Sequence, residues 1–136
     1  MVALPEEVFG LMNEQTAAKV LGTAAANGNV HLINVGGSGA IDPETIFIGE
    51  IFMKKTSENL TLAKEKGTKV SILVSKGFKS YEVKASVKDR LTSGPVFDQM
   101  SEAFKKMKFD LKGLWLLKVE EVWNQSPTYD AGKKMI

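Results

Sequence analysis

The sequence predicts a mainly β domain, with six antiparallel strands curled into a small barrel and two or three helices flanking it. Asn27-Gly28 separates two extended runs, and an Asn-Gly pair so placed is the strongest short-range hairpin signal. Tyr81 to Leu91 alternates apolar and polar residues nearly throughout, as a half-buried antiparallel strand does. The extended runs also follow one another through turns or a single helix, which favours antiparallel neighbours in a sheet that curls on itself.

Pro5 to Met12 reads as the first helix. Proline suits the first helical position, Glu6 and Glu7 complement the dipole, and Val8, Leu11 and Met12 share one face. This helix, within an N-terminal region of residues 1–16, is expected to lie as a lid on the sheet. Ala17 to Ala26 forms the first strand and Asn29 to Val35 the second. In the second strand Val30, Leu32 and Asn34 share one face, while His31, Ile33 and Val35 share the other. Gly36-Gly37-Ser38-Gly39 lacks the Lys-Ser/Thr and the helix that a phosphate loop needs, so it reads as a flexible or bulged connection. Ala40 to Glu44 has turn chemistry.

Thr45 to Gly49 is the third strand, and it hands over to a helix at Lys55-Thr56. That helix continues from Asn59 to Lys66 and is stopped by Gly67. Thr68 to Ser75 and Tyr81 to Leu91 are the next strands, joined at Lys76-Gly77. Thr92-Ser93-Gly94 breaks the pattern before a helix from Pro95 to Met107. Its stripe of Val96, Met100, Ala103, Phe104 and Met107 is expected in the core. The nearly continuous apolar start of the last strand, Gly113 to Trp123, implies burial on both faces, in a monomer core or against another subunit. Residues 124–136 read as a tail. The whole chain, 1–136, is expected to be one domain, and no internal repeat is present.

Composition narrows the function classes. The chain has 136 residues, is 43% hydrophobic and 25% charged, and carries a net charge of +2, which identifies a globular protein with no broad electrostatic pull toward nucleic acid or an anionic membrane. Sparse aromatics, not interleaved with basic residues, argue against a base-stacking platform. No cysteine is present, which excludes disulfides and thiolate chemistry, and one histidine, His31, excludes a multi-histidine metal site. No acid or nucleophile lies near His31 in sequence, so no catalytic residue is assigned and no metal is expected. No apolar run approaches the ~20 residues of a membrane span. Met1 to Glu7 lacks a basic region followed by an apolar one, so a cytoplasmic location is expected.

Chemistry concentrates where the third strand meets the second helix. Backbone N–H groups at a helix N-terminus have no intrahelical partner, and the dipole there favours an anion. Lys54 and Lys55 would be disfavoured at such a position unless an anion balanced them, and Thr56 adds a hydroxyl, which together make a phosphate seat. Thr56 or Ser57 acting as an ordinary N-cap beside two solvated lysines accounts for the same residues.

The order of elements, with Asn34-Val35, the stretch Met53-Lys54-Lys55-Thr56-Ser57-Glu58-Asn59-Leu60 and Ser93-Gly94-Pro95 opening a helix, resembles the pyridoxamine 5′-phosphate oxidase-like FMN-binding split-barrel family. Its small flavin-binding members match best, and the resemblance spans about Ala17 to Trp123. It implies a split β-barrel, FMN as cofactor, and a homodimer with the flavin at the interface. It also implies that Lys55 and Thr56 hold the phosphate with Lys54 beside them. Asn34 and Val35 would lie along the isoalloxazine ring, and Glu50, Ile51, Phe52 and Met53 would line the ring and ribityl chain. Asn59 would be a helix-surface residue or one that fixes the corner. A flavin-dependent oxidoreductase with a nicotinamide or protein electron donor is the implied function. The alternatives are a non-catalytic flavin carrier or electron-transfer protein, a heme protein using His31, and an interaction domain without a cofactor. Pyridoxamine phosphate oxidase activity itself is disfavoured, because that activity uses several arginine and histidine groups and this chain has one arginine, Arg90. Gly36-Gly37 stands where bulkier residues often cover the flavin.

Overall fold

The computed structural model describes residues 2–136; Met1, the first residue of the N-terminal region, lies outside them. The chain runs α1 (Glu6–Met12), β1 (Ala18–Ala24), β2 (Val30–Asn34), β3 (Ser38–Asp42), β4 (Thr45–Glu50), α2 (Lys55–Lys66), β5 (Lys69–Lys76), β6 (Lys79–Leu91), α3 (Pro95–Lys106), β7 (Gly113–Asn124) and β8 (Lys133–Lys134). All pairings are antiparallel, in the order β2-β1-β5-β6-β7-β4-β3, with β8 added to β7. The fold is therefore mainly β and antiparallel, with three helices, and its sheet is not a closed barrel.

The strand count is eight rather than six, and each extra strand has a physical cause. Ser38-Gly39-Ala40 is no flexible connection: all three residues are buried and pair with β4. Gly39 is there for closeness, since a Cβ on it would stand 2.6 Å from Asn13 Oδ1 and 3.0 Å from the Phe47 ring. The turn lies at Pro43-Glu44, where the Glu44 N–H donates to Asp42 Oδ1 at 2.8 Å. The C-terminal tail folds back as β8. The Met135 N–H donates to the Val122 carbonyl at 2.7 Å, and Met135 packs on the core.

The first hairpin is one residue longer than an Asn-Gly pair suggests. The Ala25 N–H donates to the Asn29 carbonyl at 2.8 Å, closing a loop of Ala26, Asn27 and Gly28, with Gly28 at φ +87°. The α1 face of Val8, Leu11 and Met12 is buried as its spacing predicts, while Pro5 sits at the N-cap rather than the first helical position.

The main core is built on one face of the sheet around Leu21, Ile46, Ile48, Ile72, Val83 and Leu117, all 0% exposed. A second cluster of Phe104, Leu111 and Leu114 lies under α3. The start of β7 is thus buried on both faces, and α3 of the same chain supplies the second cover. This helix docks more lightly than its sequence suggests: Phe104 is its one buried residue, whereas Val96 is 40% and Met107 51% exposed. Phe104 fits because its ring lies against two glycines; a Cβ on Gly37 would meet it at 2.6 Å and one on Gly49 at 2.5 Å.

The edge strands β2 and β3 are joined by Val35-Gly36-Gly37 rather than by a ladder. Lys19 on β1 spans this seam. The Val35 N–H donates to the Lys19 carbonyl at 2.9 Å, and Lys19 Nζ donates to the Ser38 carbonyl at 2.8 Å.

Candidate functional site

A cleft of about 420 Å³ opens where the end of β2, the Val35–Gly37 link, the end of β4 and the N-terminus of α2 converge. Such a volume lies within the usual range for small-molecule sites. Asn34, Val35, Ile51, Phe52, Met53, Lys54, Lys55 and Thr56, all singled out from the sequence, line it together.

Glu50 does not join them. Alternation along β4 turns Glu50 inward with Ile46 and Ile48. Its carboxylate accepts from Arg90 Nε at 3.1 Å and Nη2 at 2.8 Å, from Trp115 Nε1 at 3.0 Å and from Ser57 Oγ at 2.7 Å. Burial raises the carboxyl pKa, but the hydrogen bonds from Arg90, Ser57 and Trp115, with the Arg90 charge, outweigh it and hold Glu50 below the usual range. The Arg90 guanidinium is shifted the other way by the same contact. Glu50 thereby clamps the first turn of α2 to β4, β6 and β7 without lining the cleft.

That clamp changes the reading of Ser57. Neither Ser57 nor Thr56 is the N-cap, because the helix starts at Lys55 with Lys54 in the cap position and no side chain capping it. The N–H groups of Lys55, Thr56 and Ser57 take part in no hydrogen bond among the described residues, whereas the Glu58 N–H reaches the Lys54 carbonyl at 3.1 Å. Thr56 is only 2% exposed, lines the cleft, and its hydroxyl has no hydrogen-bond partner among the described residues. Lys55 Nζ lies 3.4 Å from Glu58 Oε2 in an exposed i,i+3 pair, too weak to hold it from another anion. The corner therefore brings unpaired donors and two lysines to one end of the cleft.

Asn59 is not on the helix surface. It is 2% exposed, and its Nδ2 donates to the hydroxyl of buried Thr23 at 3.0 Å, tying α2 to β1. Gly67, at φ +68°, closes the helix as predicted. At the opposite wall His31 and Ile33 join Val35, following the alternation of β2. Gly36, Gly37 and Gly49 complete the floor, and Phe52, 78% exposed, forms a lip edge-on to Phe109 with ring centroids 6.2 Å apart. Ile33 and Gly49 were not singled out as site residues, and His31 only as a heme ligand; the alternation that placed His31 and Ile33 beside Val35 was the available signal. No periodicity could have joined Glu50 to Arg90 and Trp115, which lie 40 and 65 residues away.

No protein-family model matches the chain, and no curated protein matches it. Solved structures do. An FMN-binding protein from Syntrophomonas wolfei shares 21% identity at a TM-score of 0.78, over 90% of this chain and 86% of its own. A provisionally named pyridoxamine 5′-phosphate oxidase from Lactobacillus delbrueckii shares 22% at 0.69, over 89% and 93%. HutZ, the heme storage protein from Vibrio cholerae, shares 13% at 0.62, over 92% and 97%. The fold is the split barrel. Neighbours on it include pyridoxamine 5′-phosphate oxidase-like, flavin-binding and heme-storage proteins. No helix of the described residues is long and apolar enough to cross a membrane.

Proposed function

We propose that this chain binds FMN in the cleft, as a homodimer whose partner completes the site, and that it works as a flavin-dependent oxidoreductase. The observation that carries the reading is Thr56, a buried residue whose hydroxyl has no hydrogen-bond partner among the described residues, beside the N–H groups of Lys55 to Ser57, which have none among them either. Such donors, backed by Lys54 and Lys55, fit a phosphate monoester. The cleft runs from there past Met53 and Ile51 to Gly36-Gly37 and Val35, an apolar floor with close backbone approach that suits a flat ring.

In this reading Lys55 and Thr56 hold the phosphate, and Glu50 keeps the first turn of α2 in place through Ser57. Asn34, Val35 and Met53 orient the ring. Phe52 and a second copy of the chain limit water. Bound flavin would supply hydride or electron transfer. A nicotinamide or protein donor would deliver the electrons, and a carrier without its own substrate is the alternative role on the same site.

A heme reading rests on His31, half-buried on the wall of the same cleft. The absorption spectrum separates the two, since bound flavin absorbs in the blue and heme gives a Soret band. The site itself is tested by fluorescence titration of FMN into wild type and into Lys55→Ala/Thr56→Ala. Loss of a charge-assisted and a neutral hydrogen bond should weaken binding by roughly 100-fold while the fold survives. Unchanged FMN affinity in the double variant would remove the assignment. Rapid reduction of the bound flavin by NADH or NADPH in stopped flow supports an enzyme, and its absence supports a carrier.

A further inference from the structure

A second cavity, of about 240 Å³, shares the Gly36-Gly37 backbone with the cleft but opens under α3. Its walls are mainly apolar, with Phe47 from β4, Met100 and Phe104 from α3 and Met107 at the end of that helix; Asn13 and Ser38 also line it, each already hydrogen-bonded within the chain. Gln15 stands at its rim and Lys19 lines it. Lys19 is unusual in this chain. It is 7% exposed, points inward from β1, and takes part in no ion pair among the described residues.

An ammonium carries three N–H donors, and one of these goes to the Ser38 carbonyl across the seam. That bond explains why an amine is present, but a carbonyl dipole does not balance a full buried charge. The nearest acid along the chain, Glu14, is already paired with Lys76. Burial alone lowers the Lys19 pKa, with no carboxylate opposing it. Around this cation the chain also leaves apolar surface uncovered, because the α3 stripe expected in the core stays half out of it, with Met107 51% exposed.

We propose that this cavity is a binding site for a small monocarboxylate with an aromatic or branched apolar body. The carboxylate meets the Lys19 ammonium and the Gln15 amide, and the body lies among Phe47, Phe104 and the α3 methionines. One fixed positive charge matches one negative charge. Thioether sulfur against a ring edge and aromatic edge contacts favour a planar body over a hydrated anion. The α2 corner differs in kind: its several unpaired N–H groups and two lysines suit a dianion. The carboxylate site does not depend on what the cleft holds.

The test is calorimetric titration of benzoate and of its neutral counterpart benzamide into the purified full-length chain. Benzoate should bind saturably at one site per chain, and benzamide at least ~10-fold more weakly, as loss of a charge-assisted hydrogen bond implies. Lys19→Met should cost at least the same factor. Ala103→Trp fills the cavity from an exposed helix position with Lys19 intact, and it should abolish binding even if Lys19→Met fails to fold. Lys55→Ala should leave benzoate affinity unchanged, which separates this site from the flavin cleft. The proposal is overturned if wild type does not bind benzoate, if benzamide matches it, if binding survives Ala103→Trp, or if Lys55→Ala removes it.

Discussion

The more spacious of two concavities is here the poorer candidate site. A groove of about 860 Å³ crosses the outer face of β1, β2, β5, β6 and β7, roughly twice the volume of the α2 cleft. Its apolar content is high, with Val30 76% and Leu32 65% exposed. Its polar groups, however, satisfy one another. Lys69 pairs with Glu121 at 2.7 Å, Ser71 donates to Glu82 at 2.6 Å, and Lys84 lies over the Trp123 ring. The smaller cleft has the opposite character: its walls are modest, but Thr56 and the first N–H groups of α2 have no partners among the described residues. A binding site is marked by polar groups that converge without being satisfied, more than by volume.

That comparison breaks most severely at Glu50. Its carboxylate satisfies Arg90, Trp115 and Ser57 at once, so Glu50→Ala strands a guanidinium, an indole N–H and a hydroxyl. Breaking a buried pair from one side costs about 3–5 kcal/mol, and the low end applies because the Arg90 side chain is 36% exposed. Urea denaturation should show a loss of about 3 kcal/mol, and FMN affinity should fall with it as the α2 corner loosens. The pH dependence has a fixed sign. The folded-state pKa of Glu50 is depressed, so its stabilisation is present above the unfolded value near ~4.3 and is lost as pH falls through the lower folded value. Wild type should therefore lose stability with acidification across that window, and Glu50→Gln should flatten the slope. An equal slope in both proteins would show that Glu50 does not hold the corner.

A smaller break is available at Gly49, on the floor of the cleft. A Cβ there would stand 2.5 Å from the Phe104 ring and 3.2 Å from the Gly37 carbonyl. The strand cannot yield easily, because the Gly49 N–H donates to that same carbonyl at 2.8 Å. Phe104 must therefore leave, and α3 with it. Overpacking of this kind costs about 1–3 kcal/mol, so Gly49→Ala should lower the urea midpoint and speed amide exchange along α3. Removing the ring with Phe104→Leu in the same chain should recover part of the loss. No recovery would mean that the clash lies with the backbone instead.

These two residues also show what the sequence could convey. The α2 corner was legible because all its parts lie in one continuous stretch from Glu50 to Gly67: a strand end, two lysines, a threonine, and a helix stopped by glycine. Glu50 was read as lining the cleft with its neighbours, and its turn away from it went unseen because the partners that hold it come from β6 and β7. Strands β3 and β8 were missed because glycine and lysine carry weak extended propensity, and both strands owe their pairing to the neighbours they meet. The α3 stripe was read as core from its period. Period alone cannot say how many elements are available to cover a face, and here Phe104 alone is fully covered.

The smallest effect should come from the groove itself. Leu32 is 65% exposed at the groove's edge, and its Cδ2 lies 3.1 Å from where a Cβ on Gly22 would stand, so it rests on glycine rather than in a packed pocket. Leu32→Lys removes little buried area and should change stability by no more than about 0.5 kcal/mol, as surface substitutions usually do. Of β2, the cleft is lined by His31 and Ile33 on the other face and by Asn34 at the strand end, but not by Leu32, so a charge at position 32 points away from the proposed flavin. FMN affinity should stay within about twofold of wild type, below ~0.5 kcal/mol of binding energy. Fluorescence titration measures it directly. A tenfold loss would mean that the flavin, or the second copy that completes its site, lies on the groove side, and that exposed apolar area had been the better guide.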